Sequence, residues 1–195
     1  MAKPRIFMAV LAAGASRRFG EEDKLAARFR GKRLGEWATA HAPMRLIEDE
    51  CAIVVASRAD HPCRTAWEKA GFKIALNARA DRGMGTSVAL AAALAMKARC
   101  DTLLIALADM PLVPKAHFEA LINAGRSSAD CVCSSDGERR SPPVIFGAKH
   151  FSALCRLDED VGARTLLKSA KTLRCPPEWL EDIDTPEALA RLSQR

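Results

Sequence analysis

Short apolar runs alternate with helix-like segments from one end of this 195-residue chain to the other, and that alternation limits the fold more than any single motif does. Strands are expected over residues 5–11, 52–56, 72–76, 102–106, 129–133, 144–146 and 172–174, with helices over 34–41, 61–70, 86–98, 115–124, 163–168 and 186–192. Strands separated by single helices with short connections pair in parallel, and a parallel sheet must be covered on both faces. The expected class is therefore α/β, one mainly parallel twisted sheet with helices on both faces. In such sheets ligands bind outside the carboxyl ends of the strands.

Composition narrows the class further. A chain that is 49% hydrophobic and 28% charged is ordinary globular material, long enough for one sizeable core. Its seven cysteines are an odd number without a C-x-x-C pair, which favours reduced thiols packed as small hydrophobes over zinc or disulfides. Lys3 and Arg5 before an apolar run resemble a signal peptide, but Arg17-Arg18 follow at once and cleavage would remove the best strand. With no apolar stretch near the ~20 residues of a membrane span, a cytoplasmic chain without membrane contact is expected. The net charge of +6 is concentrated between Arg17 and Arg33, where seven basic residues face three acidic ones. There is no Tyr and no aromatic interleaving for base stacking, so a small polyanion suits this charge better than a nucleic acid.

The densest chemical signal follows the first strand: Leu11-Ala12-Ala13-Gly14, then Ser16, Arg18, Phe19-Gly20 and Lys24-Leu25. A buried strand that ends in small residues lets a ligand approach the backbone, whose N–H groups can cradle phosphate oxygens while Arg18 and Lys24 add positive charge. The spacing fits neither G-x-x-x-x-G-K-[ST] nor G-x-G-x-x-G. A second signal follows the strand at 102–106, which delivers Asp109, within Leu107-Ala108-Asp109-Met110-Pro111, to the same sheet edge. A carboxylate there is what Mg²⁺ needs beside phosphates; the rival role for Asp109 is to help cap the helix that starts near Pro114.

These residues resemble the opening signature of the MobA-like nucleotidyltransferases, L-A-[AG]-G-x-S-x-R-[MF]-G followed by K-L. Gly83-Met84-Gly85-Thr86-Ser87-Val88 resembles that family's nucleotide-contacting G-M-x-x-S-[LV], with Asn77 upstream. Pro143-Val144-Ile145-Phe146 resembles its P-V-[LI]-F strand, Asp160-Val161-Gly162-Ala163-Arg164 its D-x-G-A-R, and Asp182-Ile183-Asp184-Thr185-Pro186-Glu187 its D-[IV]-D-T-P-E. The resemblance implies one nucleotidyltransferase domain over 1–195 with a nucleotide-diphospho-sugar transferase-like, Rossmann-like fold. It further implies nucleotide binding by Leu11, Ala12, Ala13, Gly14, Ser16, Arg18, Lys24, Asn77, Gly83, Met84 and Ser87. Catalysis falls to Arg18, Lys24 and Asp109, Mg²⁺ binding to Asp109 and Asp184, and acceptor binding to Pro143, Asp160 and Arg164. Local structure offers rival roles: Thr86 or Ser87 capping the following helix, Asp184 or Thr185 as an N-cap, Arg164 as a surface residue.

By the same resemblance, a nucleoside monophosphate passes from a nucleoside triphosphate to the terminal phosphate of an acceptor, with pyrophosphate leaving. The L-A-A-G form favours CTP as donor and molybdopterin carrying molybdenum as acceptor, with transient contact to a molybdoenzyme; GTP or another phosphorylated acceptor is the alternative. The chain departs from the pattern where acceptors differ: Ser141-Pro142-Pro143 replaces Gly-His-Pro, Glu159 replaces the glycine before Asp160, Gly31-Lys32-Arg33-Leu34 replaces G-x-P-L, and the step from Gly20 to Lys24 is long. Two rivals are a cofactor carrier without catalysis, which would not require Asp109, and a nicotinamide-dependent reductase, which the missing G-x-G-x-x-G turn disfavours. A hydrolase is weaker still, since Gly14-Ala15-Ser16-Arg17-Arg18 lacks the closing glycine of G-x-S-x-G.

Overall fold

The computed structural model describes residues 3–14, 19, 23–158 and 167–194. Its centre is β1 (Ile6–Leu11), whose six residues are all buried because both faces and both edges are covered. β4 (Ala52–Ala56) and β6 (Thr102–Leu107) pair with β1 in parallel on either side, and β5 (Lys73–Leu76) pairs with β4. β8 (Arg140–Gly147) lies antiparallel between β6 and β7 (Cys131–Ser135), and β9 (Lys171–Arg174) closes the sheet parallel to β7. The seven strands run β5-β4-β1-β6-β8-β7-β9. A small hairpin, β2 (Arg28–Phe29) with β3 (Lys32–Arg33), stands apart and turns through Arg30 and Gly31, which take φ 46° and 85°.

The helices are α1 (Trp37–Ala40), α2 (Arg64–Lys69), α3 (Met84–Lys97), α4 (Lys115–Ala124), α5 (Phe151–Leu154) and α6 (Pro186–Ser193). α3 packs on β1, β4 and β6 through Val88, Ala91, Ala92 and Ala95, small side chains that let its axis approach the sheet closely. α4 packs on β7 and β8. Five of the seven cysteines are buried, and burial pushes the thiols of Cys63 and Cys100 up to about 12, so they behave as packed apolar groups. Among the described residues no helix is long and apolar enough to cross a membrane.

Several expectations shift. The strand expected at 129–133 begins two residues later, because Asp130 Oδ2 accepts the Ser127 N–H at 2.8 Å and holds the intervening residues in a turn. The strand expected at 144–146 is longer and starts at Arg140. Its two prolines are tolerated because the ladder to β7 shifts register between Cys133 and Ser134, and pairing with β6 ends at Val144, so neither side asks residues 142 and 143 for a donor. The segment at 34–41 divides into a 3₁₀ turn, Leu34–Glu36, and α1. The helix expected at 163–168 falls mostly outside the described residues.

Candidate active site

The chain runs outward from β1 through β4 to β5, then returns across the sheet to β6. The strand order therefore reverses beside β1, and the crevice at the carboxyl ends of β1 and β6 is the place such sheets bind ligands. A cleft of about 390 Å³ lies there. Four separate stretches of sequence line it: residues 11–14, Lys24 and Leu25, 80–84 with Ser87, and Leu107 with Asp109. The Ala12 N–H donates to Val55 O at 2.8 Å and is spent in the sheet. Gly14 lies on the cleft wall, and a Cβ added there would have nothing within 4 Å among the described residues.

Lys24 is the electrostatic centre. Its Nζ donates to Asp109 Oδ2 at 2.6 Å and to Asp184 Oδ1 at 2.5 Å, joining residues 85 and 160 positions away. Burial pulls its ammonium toward the neutral form, but Asp109 and then Asp184 outweigh that and hold it above the ordinary 10.5. Burial also raises the Asp109 carboxyl above its ordinary 3.8, with Lys24 pulling it back and Asp182 and Asp184 adding to the rise. The other oxygen of Asp109, Oδ1, is buried and has no hydrogen-bond partner among the described residues.

Each member of this trio has local support. Asp109 lies two residues past the end of β6, and its carbonyl accepts the Ile183 N–H at 3.0 Å, which brings the segment 182–184 alongside. α4 begins after Pro114 without a side-chain cap, so Asp109 does not serve as one. Thr185 is the N-cap of α6, its Oγ1 accepting the Ala188 N–H at 3.2 Å, with Pro186 in the first turn. The rival roles at 184–185 are thus divided between neighbours: Thr185 caps, and Asp184 pairs with Lys24. Behind Lys24, Asp23 Oδ1 accepts the Leu25 N–H at 3.0 Å, and Asp23 Oδ2 lies 2.9 Å from Nε2 of a buried His61 stacked on Trp67.

The glycine stretch begins α3 two residues earlier than expected, so Thr86 and Ser87 sit within the first turn instead of capping it. Gly83 takes φ 120°, a conformation that favours glycine, and Met84 stands 46% exposed at the cleft. Asn77 is a strut: its Nδ2 donates to Thr86 Oγ1 at 2.8 Å and Ser87 Oγ at 2.9 Å, while its Oδ1 accepts the Arg79 N–H. Asn77 therefore braces residues of the cleft wall. Arg79 and Arg82 both hold the Asp158 carboxylate, and Arg82 lines the cleft. Pro143 is buried in β8, its carbonyl accepting from Ser134 Oγ at 2.8 Å. Ser16, Arg18, Asp160 and Arg164 lie outside the described residues.

Sequence reading passed over Asp23, His61 and Arg82. Arg82 carried a usable signal, since it directly precedes the Gly83 motif and lines the same cleft. Asp23 and His61 carried none, because their meeting depends on the folded loop.

The donor set suits a divalent cation. Among the described residues no three His, Cys, Asp or Glu side chains are grouped to hold a metal alone. A hard cation that shares its coordination with phosphates needs only one or two carboxylates, and Asp109 with Asp184 provides two, one with a spare buried oxygen.

An open α/β sheet with a glycine-lined, lysine-bearing crevice and paired carboxylates at its switch point has the features of a phosphate-binding crevice. The chain belongs to the family of the MobA-like NTP transferase domain, whose pattern matches residues 8–174, and it is accordingly a nucleotidyltransferase of MobA-like type. It is 29% identical to the purine catabolism protein PucB of Bacillus subtilis (strain 168) over 201 residues, covering 96% of this chain and 95% of that one. It is 31% identical to the nicotine blue oxidoreductase of Paenarthrobacter nicotinovorans over 206 residues, covering 97% of each. In fold it is similar to Rv0371c of Mycobacterium tuberculosis H37Rv, with a TM-score of 0.77, 22% identity and full coverage of both chains. The manganese complex of Rv0371c superposes with a TM-score of 0.70 at 23% identity, covering 97% of this chain and 98% of that one.

Proposed function

We propose that this chain transfers CMP from CTP to the terminal phosphate of molybdenum-bearing molybdopterin, with Mg²⁺ as its cation and pyrophosphate as the second product. The observation that carries the reading is the buried Lys24–Asp109–Asp184 cluster opening into the crevice that Gly14 and Gly83 line. Family membership supports nucleotidyl transfer, and Ala13, the third residue of the L-A-A-G form, supports cytidine over guanosine. Exposed Met84 offers an apolar face to a base. Farther along the same sheet edge, Arg139, Arg140, Lys168 and Arg174 line a shallow depression of about 870 Å³ suited to an anionic acceptor.

The chain's work is alignment and charge neutralisation, since phosphoryl chemistry asks little covalent help of a protein. The backbone at Ala13 and Gly14 lets the triphosphate lie close to β1, and Lys24 supplies positive charge at its flank. Arg18, from the same motif, is assigned to the triphosphate as well. Asp109 and Asp184 would hold Mg²⁺, which when bound neutralises charge on the phosphates and lowers the barrier to attack at the α-phosphate. Asp160 and Arg164 are assigned to the acceptor, with Pro143 shaping the strand beneath it.

Thermal-shift measurements with CTP, GTP, ATP and UTP, each with and without Mg²⁺, test the reading, because a ligand that binds only the folded chain raises its melting temperature. CTP with Mg²⁺ is expected to give the largest shift, and GTP dominance would assign the guanylyl reaction instead. Asp109→Ala should lose product formation by roughly 10²–10³-fold, the effect of removing one preorganised electrostatic group, while remaining folded. The oxidoreductase among the relatives favours hydride transfer as a second reading. Oxidation of NADPH by the chain, with indifference to all four triphosphates, would establish that reading.

A further inference from the structure

Lys24 stands where a cation would. Carboxylate oxygens bind Mg²⁺ and Ca²⁺ at roughly 2.0–2.6 Å, and the Lys24 ammonium lies 2.6 Å from Asp109 Oδ2 and 2.5 Å from Asp184 Oδ1. One ammonium and one divalent ion cannot both occupy that interval, since they would overlap and repel at close range with little water to screen them. The Lys24 side chain is only 10% exposed, so removing it from the carboxylates leaves a desolvated charge that needs another anion.

We propose that Lys24 is an internal placeholder for the divalent cation: its ammonium and the metal exclude each other from the Asp109–Asp184 pair, and the ammonium leaves when a triphosphate in the same crevice offers it new acceptors. The first half rests on the geometry of the three side chains, and the second on the nucleotidyltransferase reading given above. The crevice wall supports the transfer, because Lys24, Gly14 and Gly83 line one cavity and the ammonium has only to swing within it. Metal and nucleotide then bind as a coupled pair, each helping the other by the same factor. On loading, Lys24 exchanges the two carboxylates for phosphate. A nucleotide-free chain is thereby kept from storing metal.

The test is Mn²⁺ binding to the whole chain without nucleotide, followed by the electron paramagnetic resonance signal of free Mn²⁺ at pH 8, for wild type, Lys24→Met and Lys24→Gln. Both variants should bind Mn²⁺ at least about tenfold more tightly than wild type, within the usual range of coupling between sites. Asp184→Asn should cancel the gain when combined with either. Unchanged or weaker Mn²⁺ binding in folded Lys24 variants overturns the proposal.

Nitrogen-15 spectra of the lysine ammonium groups in wild type provide a measurement that needs no substitution. Saturable Mg²⁺ binding that leaves the Lys24 resonance in place overturns the proposal, and its displacement by Mg²⁺ with a non-hydrolysable triphosphate supports it. The two readings fail separately. Wild type that takes up no triphosphate refutes nucleotidyl transfer and the second half of this proposal, whereas unaltered metal binding in the variants refutes the placeholder and leaves transfer standing.

Discussion

Gly14 shows how one residue can belong to a ligand and not to the fold. Among the described residues an alanine methyl there meets nothing within 4 Å, and no left-handed backbone is required, so nothing in them demands glycine. The vacant volume lies in the crevice. Gly14→Ala is therefore expected to leave the melting temperature within the change of about ±0.5 kcal/mol typical of surface substitutions, and to weaken triphosphate binding by about tenfold or more, near 1.4 kcal/mol; calorimetry of both quantities checks it. Asp109 was legible because it closely follows a buried strand at the ligand-binding edge of the sheet, and Lys24 because it belongs to the motif that follows β1. The bracing role of Asn77 was not legible, because an asparagine has the same appearance in sequence whether its amide meets a ligand or, as here, Thr86 and Ser87. The division of labour between Asp184 and Thr185 was legible only as a pair of options, since cap choice depends on backbone angles.

Among the elements, α6 connects stability to chemistry. The Thr185 Oγ1 bond to the Ala188 N–H fixes where the helix starts, and the residue before it is Asp184. Thr185→Ala should cost about 1 kcal/mol, the usual value of a lost N-cap, and lower the melting temperature by roughly 2–4 °C for a chain of this size. It should also raise the metal concentration needed for half-maximal activity, as Asp184 loses its anchor; a Mg²⁺ titration of turnover reads that effect. The buried parallel strands were the easiest elements to find, because continuous apolar runs have no polar face to confuse the pattern. β8 was shortened in the reading because two prolines argue against a strand, and its register shift is a property of the partner β7. The β2–β3 hairpin was missed because Arg30-Gly31 supplies the required backbone conformation without the usual Asn-Gly or Asp-Gly signal.

At the scale of the whole molecule, His117 makes stability respond to pH. Burial holds its imidazole below the ordinary 6.5, and Nε2 lies 2.8 Å from Ser134 Oγ between α4 and β7. The folded chain binds this proton less readily than the unfolded one, so the stability tied to His117 is complete above pH 6.5 and fades as pH falls through 6.5 toward the lower native value. Asp23, whose contact with His61 holds its carboxyl below 3.8, adds a separate loss at pH below that value. Melting temperatures between pH 7.5 and 5 should decline for wild type and stay level for His117→Gln, which keeps a donor and removes the titration. The reversed direction of β8 has one more consequence. It brings the β7–β8 turn, where Asp136 Oδ1 accepts the N–H groups of Glu138 and Arg139, to the rim that carries the carboxyl ends of the other strands. Residues can be inserted or exchanged in that exposed turn without touching β1 or β6. On the proposed reading, changes in that turn would alter the choice of acceptor and leave the triphosphate crevice as it is.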